Sequence, residues 1–320
     1  MSANPQVSII IPCLNEHEPV AILLDKLEAT LPGAEIVLVD DGSNPPLPDR
    51  PGIHLLRHPT NLGNGAAIKT GARNATGEIL VFMDSDGQHD PKDIQRLLDK
   101  MAEGYDLVVG ARDSGSQASF HRRIANGFYN WLASVMVGHQ IDDLTSGFRA
   151  ARARYFRNFI YLLPNGFSYP TTSTMAFFRN GHAVAYIPIK AHKRTGKSKI
   201  RLLRDGLKFL LIITKIGALF SPMRFFAPIA GVLFALASVH YLTTYVTAGR
   251  FTNMSAVLYL ASLSTLLIGV VSEQISALHY RFSEERRRAS DYAVRSSTED
   301  PAKARLAPSD ATAKEVASSG

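Results

Sequence analysis

The chain has 320 residues, a single cysteine, a formal net charge of +7 and a mean hydropathy near zero. One thiol, Cys13, excludes an intrachain disulfide framework and a cysteine-rich zinc site. Much of the positive charge flanks apolar segments, which suits anionic lipid headgroups and argues against nucleic acid as a partner.

No basic stretch followed by a short apolar run opens the chain, so no cleavable signal peptide is expected. Val7 to Pro12 reads as a first strand, and Pro19 to Leu31 has helical spacing in Ile22, Leu23, Leu27 and Leu31. A β-branched strand, Glu35 to Val39, runs into Asp40-Asp41-Gly42-Ser43. Ile53 to Leu56 is a third strand, and Asn61-Leu62-Gly63-Asn64-Gly65 is a turn leading into a helix through about Asn74. Ile79 to Met83 is a short apolar run, the pattern of a strand buried on both faces, and it ends in Asp84-Ser85-Asp86. Asp90-Pro91 reads as the N-cap and first position of a helix to about Glu103, followed by a strand from Asp106 to Gly110. Such alternation predicts a doubly wound, mostly parallel sheet.

Three of these strands end in polar clusters, Pro12/Asn15/Glu16, Asp40/Asp41 and Asp84/Asp86, at the edge where open α/β sheets bind ligands. Residues i and i+2 of an extended segment point the same way, which would let Asp84 and Asp86 face one ligand. Two adjacent carboxylates are either an acidic loop capping the next helix or a pair with a cation between them, and Mg²⁺ or Mn²⁺ held in this way keeps positions open for phosphate oxygens. Two nucleotide motifs fail. Gly196-Lys197-Ser198 lacks the P-loop glycine five residues earlier, where Ala191 stands, and Gly63-Asn64-Gly65 has Ile68 at the third glycine position of a dinucleotide fingerprint.

Beyond Arg112 the pattern is less regular. His121-Arg122-Arg123 precedes a helix through about Val137, and Asp142 to Arg149 reads as a polar turn. Ala183 to Ile189 is a further strand, followed by the basic run Lys190 to Lys199, either a solvated loop or a segment suited to gripping phosphates. From Ile200 to Phe220, Arg201, Arg204, Lys208 and Lys215 share one helical face and leucines fill much of the remainder, as in a helix lying along a membrane or an amphipathic helix packed on the catalytic domain. Phe225 to about Thr247 and Met254 to about Val271 are each close to the length and apolarity of a bilayer span. Their connection carries one basic residue, Arg250, against many on either side of the pair, so both termini are expected on the cytoplasmic side. His240 and Glu273 are ionisable groups near the ends of these spans, with no role assigned, and disorder is expected after Arg288.

Residues 7 to about 199 resemble the family 2 glycosyltransferases with a GT-A fold, specifically the polyprenyl-phosphate glycosyltransferases typified by dolichol-phosphate mannose synthase. The resemblance is carried, in order, by Pro12-Cys13-Leu14-Asn15-Glu16, Val39 to Ser43, Asn61 to Ala67, Met83 to Pro91, Gly110-Ala111-Arg112, Asp143 to Arg149 and Arg194 to Lys199. It implies that Pro12, Leu14, Asn15, Glu16, Val39 and Asp41 surround the nucleoside of a nucleotide sugar. It implies too that Asp84, Ser85 and Asp86 hold the diphosphate and its metal, Mg²⁺ or Mn²⁺, with Gln88 a further metal ligand. Arg112, Arg122 or Arg123, Arg194, Ser198 and Lys199 would then face the donor diphosphate and the lipid phosphate, while Asp143 has no firm role. The implied reaction is an inverting attack of polyprenyl phosphate on the sugar's anomeric carbon. One departure concerns Ser168 to Met175, which lacks the glutamate often found there, so the donor sugar stays open.

The expected organisation is a GT-A domain over residues 1–199 (Rossmann-like, mostly parallel), an amphipathic interfacial helix over 200–222, two transmembrane helices over 223–280 and a disordered cytoplasmic tail over 281–320. A homo-oligomer is compatible with it. Two other readings stand beside lipid-linked transfer. One is a family 2 enzyme with another acceptor in cell-envelope polysaccharide synthesis, the other a catalytically silent scaffold that binds sugar nucleotides. A processive synthase is disfavoured because the only tryptophan, Trp131, follows Phe128-Tyr129-Asn130 and completes no Gln-x-x-Arg-Trp motif.

Overall fold

The structure is a computed structural model that describes residues 6–112, 120–166, 168–190 and 222–299. The expected helix over 200–222 falls almost wholly outside these residues, as do Arg194, Ser198 and Lys199. Alternating strands and helices build β1 (Val7–Cys13), α1 (His17–Thr30), β2 (Glu35–Asp40), β3 (Ile53–Arg57), α2 (Asn64–Asn74), β4 (Ile79–Phe82), α3 (Asp93–Ala102) and β5 (Leu107–Arg112). There follow α4 (Phe120–Val137), β6 (Arg149–Arg152), α5 (Ala153–Asn158), a 3₁₀ turn at Ile160–Leu162, α6 (Tyr169–Arg179), β7 (Val184–Ile189), α7 (Pro222–Ala248) and α8 (Asn253–Glu299).

Seven strands form one sheet in the order β3-β2-β1-β4-β6-β5-β7. All pairings are parallel except those of β6, which runs antiparallel to both β4 and β5. Strand side chains alternate between the two faces, and the core divides accordingly. Ile10, Val37, Val39, Leu80 and Phe82 face one layer together with α2, α4 and α6. Ile9, Ile11, Ile36, Leu38 and Val81 face the other, against α1 and α3. Each such side chain buried from water contributes about 1.5–3 kcal/mol, which is why β4 reads as an unbroken apolar run and β1 as one interrupted only by Ser8. Helix α2 lies very close to the sheet at Gly71, where a Cβ would come within 2.4 Å of Ile10 Cγ2.

The antiparallel strand is the main departure from the expected doubly wound sheet, and it positions the site. Because β6 runs backwards, its N-terminal end lies at the carboxyl edge of its neighbours, with Arg149 paired to Phe82 and to Val109. The loop Asp142–Phe148, expected only as a polar turn, is thereby delivered beside the loop that follows β4. Helix α3 begins two residues later than expected. Asp90 Oδ1 accepts a hydrogen bond from Lys92 N (3.0 Å), capping a preliminary turn, and the helix proper starts at Asp93.

Helices α7 and α8 form an antiparallel hairpin, and only 11% and 17% of their apolar windows are buried. A core helix of a water-soluble domain would be covered. Exposed Val232, Phe234, Leu236, Leu260 and Leu267 identify surfaces matched to lipid, so this is a membrane protein. Small and hydroxylated side chains mediate the helix contact: Ala237 and Ser255 are fully buried, and Ser262 Oγ donates to Ala230 O (2.9 Å). His240 Nδ1 pairs with Ser255 Oγ (3.0 Å), and Glu273 Oε2 accepts from Met223 N (3.3 Å) at the start of α7. Both ionisable groups thus join the two helices. Helix α8 continues without interruption to Glu299, into the segment 281–320 expected as a tail. Residues 284–289, Glu-Glu-Arg-Arg-Arg-Ala, are good helix formers, and neither glycine nor proline interrupts the chain from 270 to 300.

Candidate active site

The carboxyl edges of β1, β2 and β4 lie side by side, and the loops leaving them are stitched together. Asn15 sits in the left-handed region (φ 57°), which its short polar side chain tolerates. Its N–H donates to Ser43 Oγ (2.9 Å), and its Oδ1 accepts from Asn44 N (2.8 Å), linking the loops after β1 and β2. Ser85 Oγ donates to Glu16 Oε2 (2.5 Å), linking the loops after β1 and β4. Asn15, Glu16 and Ser85, expected at the donor site from sequence, are therefore brought into one cluster. Pro12 and Val39 are buried register partners on β1 and β2, and Leu14 is partly exposed at the rim.

The two aspartates at the end of β2 face inward. Asp40 accepts from Ser43 N (2.8 Å) and Leu47 N (3.0 Å); burial raises its carboxyl, but the Ser43 and Leu47 hydrogen bonds outweigh this and hold it below the usual value. Asp41 is 3% exposed. It pairs with His58 Nδ1 (2.7 Å) and accepts from Leu62 N (3.0 Å) and Gly63 N (2.8 Å), fixing the segment that leads into α2. His58 Nε2 in turn pairs with Thr70 Oγ1 on α2 (2.9 Å). Asp41 thus shapes the edge of the site through the backbone it holds.

Beyond β4 the chain does not stay extended. It turns at Ser85-Asp86, Gly87 adopts φ +71°, and Asp86 Oδ1 accepts from Gln88 N (3.1 Å). The i, i+2 rule for strands therefore gives no common direction to Asp84 and Asp86. Asp84 lines a cleft with Asn64, Thr145, Gly147 and residues 168–171 at the start of α6. Gly147 lies close against it: a Cβ at this position would come 2.8 Å from Asp84 Oδ2 and push that side chain aside. Among the described residues no three His, Cys, Asp or Glu side chains gather around a metal position. Asp84, Asp86 and the Gln88 amide are all oxygen donors. That set fits a hard divalent ion only if ligand phosphate oxygens complete its shell, the usual situation for Mg²⁺.

Arg112, at the end of β5, and Asp143 form a two-pronged ion pair. Nε donates to Oδ2 (2.8 Å), Nη2 to Oδ1 (3.0 Å), and the Arg112 backbone N–H to Oδ2 (3.2 Å). Asp143 Oδ1 also accepts from Thr145 N (3.0 Å) and Ser146 N (3.1 Å). Burial acts to raise the Asp143 carboxyl, but the Arg112 hydrogen bonds and charge hold it below its ordinary value. Asp143 therefore orients Arg112 and the loop that carries Thr145 and Gly147 into the cleft.

Arg149, Tyr169 and His89 were assigned no role from the sequence. Arg149 is 0% exposed and donates to Ser146 O (3.1 Å), Pro170 O (2.9 Å), Ser173 Oγ (2.8 Å) and Thr174 Oγ1 (2.9 Å). It ties the Asp143 loop to α6. Tyr169 OH donates to Gly147 O (2.9 Å) from the first turn of that helix. His89 stacks on Phe148 with ring centroids 5.0 Å apart, and burial pushes its pKa down to about 4, so the ring is neutral near pH 7. Burial raises the Cys13 thiol to about 11, which removes it as a nucleophile. Arg122 and Arg123 lie in the first turn of α4.

Known proteins share the fold and the hairpin. Residues 8–161 match the family described as Glycosyl transferase family 2, and residues 221–278 match the GtrB C-terminal hairpin. An undecaprenyl-phosphate mannosyltransferase of Micrococcus luteus is 29% identical over 213 residues, covering 61% of this chain and 87% of the relative. A polyprenol monophosphomannose synthase of Mycolicibacterium smegmatis is 28% identical over 211 residues, covering 60% and 80%. Among solved structures, a glucosyl-3-phosphoglycerate synthase from Mycobacterium tuberculosis with Mn²⁺, UDP-glucose and phosphoglyceric acid superposes with a TM-score of 0.54. It is 18% identical, covering 67% of this chain and 80% of that one, and supports the fold alone. With a GT-A catalytic sheet followed by the matching two-helix membrane hairpin, the chain belongs to the family 2 glycosyltransferases.

Proposed function

We propose that the protein moves a hexose from a nucleotide sugar, of the GDP-mannose or UDP-glucose type, to a polyprenyl phosphate. The observation that carries this reading is the union of two features in one chain. Asp84 and Asp86 stand at the carboxyl edge of the sheet, and the same domain is fastened to a membrane hairpin through Arg224 of α7, which donates to Met136 O of α4 (3.2 Å). The polyprenyl-phosphate relatives support the same acceptor.

In the proposed reaction an acceptor phosphate oxygen forms a bond to the anomeric carbon. The bond from that carbon to the donor diphosphate breaks with its electron pair, and the configuration inverts. The acceptor is already anionic, so no strong general base is needed. A bound Mg²⁺ or Mn²⁺ supplies positive charge to the departing diphosphate. Asp84 and Asp86, with Gln88, would hold that ion. Arg112, oriented by Asp143, together with Arg122 or Arg123, Arg194, Ser198 and Lys199, would bind the oxygens of the donor diphosphate and the lipid phosphate. Pro12, Leu14, Asn15, Glu16, Val39 and Asp41 shape the nucleoside side. By the distribution of Arg and Lys around the hairpin, the catalytic domain and both termini are cytoplasmic.

The test uses membranes containing the protein, polyprenyl phosphate, a divalent ion and a panel of radiolabelled sugar nucleotides. Label entering the lipid extract from one donor names the sugar. Metal-dependent nucleotide binding with no lipid product from any donor would overturn the acceptor assignment and favour another acceptor or a silent scaffold.

A further inference from the structure

Six large apolar side chains are exposed in the described part of the catalytic domain: Ile22, Leu62, Phe128, Trp131, Val135 and Tyr161. Three of them share one helix. Phe128, Trp131 and Val135 stand at i, i+3 and i+7 of α4, one stripe along a single face, and are 49%, 59% and 48% exposed. The opposite face of the same helix is built differently. Ala133, Met136 and Val137 are buried in the core, and Asn130 grips the active-site loop, donating to Asp142 O (2.6 Å) and accepting from Leu144 N (3.1 Å). The stripe has no role in that packing. A water-facing helix would carry charge here.

What lies against the stripe follows from where α4 ends. Its last turn is held by α7: Arg224 Nη1 donates to Val135 O (3.3 Å) and Met136 O (3.2 Å). A cation on the final carbonyls of a helix also opposes its dipole favourably. Gly138, just past the helix end, packs directly on the Arg224 guanidinium. Phe225 of α7 packs against the core cluster that contains Met136. Arg224 is the third residue of α7, immediately before its apolar run, and Glu273 of α8 fixes the same turn through Met223 N. Val135 is therefore at the level where the first span enters the membrane. Trp131 is one helical turn away, about 6 Å at 1.5 Å per residue.

We infer that the Phe128–Trp131–Val135 face of α4 rests in the boundary layer between lipid headgroups and acyl chains, as a continuation of the hairpin's lipid-facing surface. Tryptophan suits that layer because its ring is apolar and its N–H is polar. An amphipathic helix in this position holds the domain against the bilayer along a line as well as at the hairpin. It also brings the end of α4 that carries Arg122 and Arg123 close to headgroup level, where the phosphate of a membrane-embedded acceptor lies. The inference rests on the hairpin spanning a bilayer and is independent of the reaction, so failure of either leaves the other standing.

The chain carries its own probe, since Trp131 is its only tryptophan. Full-length protein is reconstituted into vesicles whose lipids are brominated either near the headgroup or near the chain end, and Trp131 emission is recorded, with acrylamide as an aqueous quencher. The expected result is blue-shifted emission, stronger quenching by the shallow bromines than by the deep ones, and weak quenching by acrylamide. Quenching by acrylamide without quenching by bromolipid would overturn the inference, placing the stripe in water. Protection from both quenchers would also overturn it, because protein, either residues 200–220 or a second copy, would then cover the face.

Discussion

Replacing Asp143 with alanine removes the partner of an arginine that is itself mostly withdrawn from water. Asp143 is 6% exposed and receives three hydrogen bonds from Arg112 and two from the Thr145 and Ser146 amides. Breaking a buried pair from one side costs about 3–5 kcal/mol, because the surviving charge is left without compensation. For a domain of this size that corresponds to a loss of roughly 6–20 °C in melting temperature. Asp143→Asn retains one oxygen acceptor but points N–H groups at the guanidinium, and should fall between alanine and wild type. The assay is thermal unfolding of the detergent-solubilised full chain followed by far-UV circular dichroism at several pH values. The folded carboxyl titrates below its ordinary 3.8. The pair's contribution is therefore complete above that pH and is lost as the pH falls through the lower, folded value. The gap between wild type and Asp143→Asn should accordingly be widest near neutrality and close in acid. A melting temperature for Asp143→Ala within about 1 °C of wild type at pH 7 would refute the pair as the element that fixes this loop, since such a shift is below about 0.5 kcal/mol.

Gly147→Ala should separate activity from stability. The new Cβ, 2.8 Å from Asp84 Oδ2, displaces a side-chain end rather than backbone, so transfer should collapse while unfolding changes by about 1 kcal/mol or less. Arg149→Lys keeps the charge but loses the planar fork that reaches Ser146, Pro170, Ser173 and Thr174; it should cost about 3 kcal/mol or more, read as a fall in melting temperature. Cys13, buried and held protonated by a pKa of about 11, should resist iodoacetamide at pH 8 in the native protein and react only after unfolding, as read by intact mass.

The sheet edge formed by β1, β2 and β4 is the part most legible in the sequence, because parallel strands buried on both faces announce themselves and their polar termini mark one edge. The loops after β1, β2 and β4 were placed from Pro12, Asp40 and Asp84 for that reason. Strand β6 was invisible. Arg149-Ala-Ala-Arg152 has no β-branched residue, and it is a strand only because β4 and β5 flank it. Missing it hid the route by which Thr145 and Gly147 reach Asp84. The role of Asp143 was open in the sequence for the same reason, since its partner Arg112 lies 31 residues away. Helix α6 was obscured by Thr171-Thr172-Ser173-Thr174, residues of modest helix propensity that are stabilised here by burial and by Arg149. The Asp90-Pro91 signal was real but local: it caps a turn, and tertiary packing sets the start of α3 at Asp93. The membrane hairpin was legible throughout, because length and apolarity decide it without reference to partners.

The most direct test of the central claim is a defined reaction with purified full-length protein, one active donor and a divalent ion. Polyprenyl phosphate is compared with the unphosphorylated polyprenol, and wild type with Asp86→Ala. The account expects a product whose mass is that of polyprenyl phosphate plus one hexose, with an equal amount of nucleoside diphosphate. It expects no product from the polyprenol, and none from an Asp86→Ala protein that still melts like wild type. Transfer to the unphosphorylated lipid, or undiminished transfer by Asp86→Ala, would contradict it.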